Sequence, residues 1–221
     1  MSVFHEPVSN RSRLLFAIQG VFQMLLAVFV GSTVWLMAYS RDWGAKATWH
    51  IFLTTIGFAL LMAEAVSLLN EGNVFYIGVN KLRRGLIHGT YMFLATLSAV
   101  IGIGLKIQEK SDRGSKHFTS THGKLGIAAL VLTITACLGG LGVLNSSRLY
   151  RAGIKPKWVR VLHILISCFA YLIGCVALGY GIDSYFGEAT ADTKKGLITV
   201  LGLYVVISLS GPANTLYSIF V

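Results

Sequence analysis

The sequence predicts an all-α membrane protein, a bundle of six transmembrane helices, and three observations predict it. The chain of 221 residues is 54% apolar and only 13% charged, with a mean hydropathy of +0.67, whereas soluble domains carry about 25% charged residues. Six stretches of some twenty residues or more are free of charge apart from Glu64, and about 20 apolar residues span a hydrocarbon core of about 30 Å as α-helix. All other charged residues fall between, beyond or at the very ends of these stretches. That sorting leaves room for one bundle and none for a soluble domain. It also excludes a disordered or nucleic-acid-binding explanation of the net charge of +10, which belongs to loops between spans.

The spans are read at about 14–39, 51–70, 86–105, 122–147, 159–182 and 196–219, within a single transmembrane domain covering 1–221. The chain is polar through Arg13, and the first apolar run is too long for the roughly 7–15-residue core of a signal peptide, so it reads as a retained span. The second follows His50 and is interrupted only by Glu64. The third carries His88 near its start, the fourth is led by His122, and the fifth carries His163 near its start. The sixth contains a Gly211-Pro212 step. Cys137, Cys168 and Cys175 all fall inside spans, which implies no extracellular disulfide framework. No CxxCH string is present, which excludes covalent c-type haem. Trp35, Trp43, Trp49 and Trp158 near span ends form an interfacial belt.

An even number of spans puts both termini on one side. That side carries Arg11, Arg13, Lys81, Arg83, Arg84, Arg148, Arg151, Lys155, Lys157 and Arg160; nine basic residues lie opposite, from Arg41 to Lys195. The positive-inside rule then places the termini in the cytoplasm, by a narrow margin.

Four of the six histidines sit at span ends, one on each of four consecutive spans. Because neighbouring spans run in opposite directions, His50 and His122 share the non-cytoplasmic end of the bundle, and His88 and His163 share the cytoplasmic end. A same-depth pair of imidazoles is the ligand set for a six-coordinate haem iron, whose porphyrin supplies the other four nitrogens. For a single histidine at a helix end, hydrogen bonding to a neighbour or to interfacial water is the simpler reading; two matched pairs are not explained that way. Gly57, Gly102, Gly104, Gly126, Gly139, Gly140, Gly142, Gly174 and Gly179 lie on the same four spans, where they serve either flat porphyrins or close helix packing.

With these residues in view, the sequence resembles the cytochrome b561 family of transmembrane ascorbate-dependent oxidoreductases. The resemblance covers nearly the whole chain. It is carried by the one-histidine-per-span order and by Trp49-His50 followed by Leu61-Met62-Ala63-Glu64-Ala65. Lys81-Leu82-Arg83-Arg84 before His88, and Lys116-His117-Phe118-Thr119-Ser120-Thr121-His122-Gly123, carry it further. The last string is similar to the short branch related to the tumour-suppressor cytochrome, and departs from the Ser-Leu-His-Ser-Trp type of the chromaffin-granule and plant members. The resemblance implies two haem b groups joining spans 2 with 4 and 3 with 5, and cytoplasmic ascorbate as electron donor. It implies monodehydroascorbate or a ferric chelate as acceptor on the other side. It further implies an endoplasmic-reticulum or endosomal vesicle membrane and a homodimer.

The residues themselves add a reason for such a donor. Ascorbate is a monoanion that needs cationic partners, and Lys81, Arg83 and Arg84 closely precede His88 as Lys155, Lys157 and Arg160 precede His163. These charges also serve the positive-inside signal and lipid phosphates. Opposite, Lys116 and His117, with Lys110 and Arg113, form a weaker candidate acceptor site diluted by Glu109 and Asp112. Glu64, the one carboxylate within a span, reads as a structural anchor. The competing class is a polytopic transporter or structural bundle with non-ligand histidines, which expects polar or broken helices at mid-membrane; Glu64 and Gly211-Pro212 are its only signs.

Overall fold

A hydrocarbon environment has no water to satisfy peptide groups, so each long apolar run closes its hydrogen bonds within itself as helix. The computed structural model describes residues 9–70, 73, 78–187 and 189–221, and of Lys81 only the backbone. Among the described residues there are helices and no strands. Among the described residues six helices are long and apolar enough to cross a membrane, and the chain is an integral, multi-pass membrane protein.

Helix α1 spans Asn10–Ser40. The second span is composite: α2 (Lys46–Thr54) runs into a π-helical stretch, Thr55–Leu61, and then α3 (Met62–Ser67). Helices α4 (Lys81–Asp112) and α5 (Thr121–Leu144) follow. A short α6 (Ser146–Arg151) lies between α5 and α7 (Pro156–Tyr185), and α8 spans Ala191–Phe220.

Several helices overrun the uncharged stretches, most clearly α4, which begins before Arg83 and ends beyond Glu109. The reason is capping. Asn80, Ser120 and Thr190 each accept a hydrogen bond from the backbone N–H three residues on, and Pro156 occupies the first turn of α7; such caps set a helix start regardless of where the hydrocarbon begins. Lys81, Arg83 and Arg84, expected in a loop, therefore lie in the first turn of α4, while Lys116 and His117 remain in the loop between α4 and α5. Gly114 and Gly153, both with positive φ, follow the ends of α4 and α6, the left-handed position that glycine adopts without strain.

Span 2 is the centre of the bundle: 67% of its apolar window is buried, against 17–44% for the others. It packs antiparallel to α4, and α5 packs antiparallel to α7. These two pairs form the four-helix heart. Helices α1 and α8 pack on each other and against that heart, where Tyr204 of α8 stands edge-on to Phe22 and Phe29 of α1 at 6.2 and 5.7 Å. Trp35, Trp49 and Trp158 are exposed near span ends.

Candidate functional site

Within the four-helix heart His50 of α2 faces His122 of α5, which runs in the same direction, with ring centroids 5.9 Å apart and planes at 81°. At the other end of the heart His88 of α4 faces His163 of α7, at 6.4 Å and 87°. Both pairings are those expected from span direction.

Each imidazole is held by a backbone carbonyl. Nδ1 of His50 lies 2.9 Å from Gly102 O, that of His88 2.9 Å from Ala65 O, that of His122 2.8 Å from Ala177 O, and that of His163 3.0 Å from Ala136 O. A carbonyl oxygen can only accept, so Nδ1 carries a proton; in a neutral ring the lone pair is then on Nε2, the tautomer of a metal-ligating histidine with its usual outer partner. The partnerships are reciprocal. Span 2 and α4 each orient the other's histidine, and so do α5 and α7.

Glycine makes these approaches possible at particular places. A Cβ at Gly181 would lie 3.1 Å from Cε1 of His122, and one at Gly140 3.3 Å from Cε1 of His163. One at Gly102 would lie 3.0 Å from Leu53 Cβ and 3.2 Å from Thr54 Cγ2, forcing α4 away from α2. Gly104, Gly126 and Gly179, by contrast, face open space, so the glycines of these spans divide between close packing and unfilled volume.

A haem fits these residues. A metal–imidazole bond of about 2 Å on either side of one iron, with the radius of each ring added, puts the ring centroids about 6 Å apart. The pairs match that spacing. Among the described residues there is no group of three or more His, Cys, Asp or Glu that could hold a bare metal ion. A cavity at the first pair is lined by His50 and His122 with Gly126, Gly174 and Phe58.

The second pair opens into a wider cleft of about 1590 Å³, mouth included, lined by His88 and His163 together with Arg84, Lys157 and Arg160. Arg84 donates from Nε to Val79 O at 3.0 Å, and the Lys157 ammonium lies 4.6 Å from the centre of the Phe220 ring. Of the other cations expected here, Arg83 and Lys155 are exposed and do not line the cleft, and the Lys81 side chain lies outside the described residues. At the first pair, His117 lines the cavity with Lys106 and Lys110, and Lys116 does not.

Two residues in this cavity were not singled out from sequence. The Tyr185 ring lies 6.1 Å from His50 and 5.7 Å from His122. Lys106 sits 5.0 Å over that ring and pairs with Glu109 at 2.7 Å. A lone aromatic past the end of an apolar run and a lysine at a helix end carry no sequence signal beyond the interfacial belt.

Glu64 accepts from Gln23 Nε2 of α1 at 3.3 Å and from Ser67 Oγ at 3.4 Å, which ties α1 to α3. At the Gly211-Pro212 step, Asn70 packs so closely on Gly211 that a Cβ there would overlap its side chain. That contact closes α8 against the end of span 2.

The family model for eukaryotic cytochrome b561 matches residues 49–187, from the residue before His50 to just beyond Tyr185. The chain is 27% identical over 205 residues to transmembrane reductase CYB561D2 of Mus musculus, covering 91% of this chain and 89% of that one. The human protein of that name is 26% identical with the same coverage. Probable transmembrane reductase CYB561D1 of Mus musculus is 27% identical over 199 residues, 90% of this chain and 85% of that one. The chain belongs to the eukaryotic cytochrome b561 family, a family of haem b-binding transmembrane electron-transfer reductases.

Proposed function

We propose that the protein is a two-haem transmembrane oxidoreductase that carries single electrons from ascorbate on the cytoplasmic side to monodehydroascorbate or ferric iron on the other. His50 with His122, and His88 with His163, would be the ligand pairs that hold two non-covalent haem b groups. The observation that carries this reading is the common state of all four imidazoles: Nδ1 committed to a carbonyl, Nε2 free, and one such ring facing another at about 6 Å at each end of the bundle. A haem held by each pair would supply a one-electron iron couple.

The chain's own residues do the rest. Carbonyls of Gly102, Ala65, Ala177 and Ala136 hold the imidazoles in one orientation. Arg84, Lys157 and Arg160 converge on the cleft beside His88 and His163 and attract an anionic donor such as ascorbate, with Arg83, Lys155 and Lys81 enlarging the field at its mouth. Leu68, Leu69, Val143 and Ile164 form the apolar wall of that cleft. Opposite, Lys106, Lys110 and His117 line the route to His50 and His122 and receive an anionic acceptor; Lys116 contributes charge from the loop. Within α4, His88 and the Gly102 carbonyl are 14 residues apart, about 21 Å of helix, so the two pairs divide the membrane between them. Cytoplasmic termini follow from the basic cleft facing the donor, and the short branch that the sequence resembles favours an endoplasmic-reticulum or endosomal vesicle membrane and a homodimer.

The test is the optical spectrum of the purified protein with haem quantified per chain. Two six-coordinate b haems per chain, reduced by ascorbate, are expected. Folded protein without haem, as a transporter or purely structural bundle would be, overturns the reading.

A further inference from the structure

Each of the four central spans carries a histidine toward one end and, toward the other, the carbonyl that accepts the Nδ1 proton of its antiparallel neighbour's histidine. The two groups are 14 residues apart on α4 (His88 and Gly102), on α5 (His122 and Ala136) and on α7 (His163 and Ala177). Fourteen residues make about 3.9 turns of α-helix, so both groups face nearly the same way from opposite ends. Span 2 departs from this rule, for His50 and Ala65 are 15 residues apart. In unbroken α-helix the extra residue would turn the Ala65 carbonyl by about 100°, away from His88.

Span 2 is also the span that contains the π-helical stretch Thr55–Leu61, where Met62 N–H reaches back five residues to Gly57 O. An i→i+5 turn holds one residue more than an i→i+4 turn. Two neighbouring helices lock it in place. Gly57 lies so close to α4 that a Cβ there would be 3.0 Å from Ala95 O, and buried Phe58 lies over Gly174 of α7, where a Cβ would overlap its ring.

We propose that Thr55–Leu61 is a register device: its π turn takes up the extra residue of span 2, so that one helix presents His50 to one histidine pair and the Ala65 carbonyl to His88 of the other. It is a positioning element that acts through the orientation of His88, and its consequence for cofactor binding rests on the reading of the four histidines as haem ligands.

The test compares two single-residue deletions in the full chain. Leu60 lies in the π stretch and is partly buried; Leu97 is 45% exposed on α4, between His88 and Gly102. Deleting Leu60 converts the stretch to α-helix and gives span 2 the 14-residue spacing of its neighbours, so both haems and their spectra are retained. Deleting Leu97 has no π turn to absorb it, swings His88 and the Gly102 carbonyl out of register, and loses haem. Loss of haem or failure to fold in the Leu60 deletion overturns the proposal, and so does full retention in the Leu97 deletion.

A second arm needs no haem. In protein prepared without it, ¹⁵N NMR of histidine side chains reports Nδ1-protonated imidazoles at all four positions in the parent and in the Leu60 deletion. His50 leaves that state in the Leu97 deletion; a Leu60 deletion that shifts His88 overturns the register device. A parent protein that takes up no haem defeats the functional reading while this arm still judges the register.

Discussion

A histidine whose Nδ1–H is committed to a peptide carbonyl offers one lone pair, at Nε2, and His50, His88, His122 and His163 are all held in that state. Replacing His88 or His122 with Leu is expected to remove one haem each and to leave the other, giving about half the parent haem per chain in a quantitative spectrum. The glycines beside the rings act through contact. A larger side chain at Gly181 meets His122 Cε1, so Gly181→Leu is expected to lower haem affinity at the His50/His122 pair by roughly 10–100-fold, the usual cost of disturbing a ligand's outer partners. Titration of haem into haem-free protein measures this, and the His88/His163 pair is expected to load normally.

At the scale of the element, helix ends follow capping side chains and helix separations follow the residues between them. Span 2 and α7 come together where Phe58 lies over Gly174. A methyl group at 174 has no space, and because Phe58 is buried the ring cannot swing out to solvent. Gly174→Ala is expected to destabilise the protein by about 1–3 kcal/mol, the range for overpacking, read as a lowered unfolding temperature in detergent. Gly104→Ala, facing open space, is the control expected to leave it unchanged. The Gln23–Glu64 and Glu64–Ser67 hydrogen bonds show the same economy: a carboxylate that would be costly in the membrane is given partners on α1 and α3.

For the whole molecule, the two histidine pairs differ in the charge around them. Arg84, Lys157 and Arg160 surround the cleft at one histidine pair, while Lys106 at the other is already paired with Glu109. The rate of reduction by ascorbate is therefore expected to fall as ionic strength rises, since screening shortens the reach of the cleft's field to about 8 Å at physiological salt. Stopped-flow measurement across a salt series checks this. Arg160→Ala is expected to raise KM for ascorbate by about tenfold, the loss of one charge-assisted hydrogen bond, with both haems kept. Unchanged KM would return Arg160 to a purely topological role.

The spans were legible in the sequence because apolar length is a one-dimensional property, and the membership of each histidine pair was legible because alternation of direction follows from counting spans. Helix ends were less so: α4 overruns its apolar run because Asn80 caps it, a hydrogen bond that hydropathy does not register. The polar cleft was legible only in part. Arg84 and Arg160 line it, Arg83 and Lys155 do not, and the choice depends on which way each side chain leaves its helix.

By itself, then, the sequence determined six membrane helices, four histidines at their ends and the depth at which each lies. Tertiary structure decided what surrounds those histidines: the carbonyls that accept from their Nδ1 atoms, the ring of Tyr185 beside two of them, and the π turn within span 2. The physical reason is that a peptide carbonyl has the same chemistry at every residue, so only the packing of one helix on another can select which of them a histidine meets.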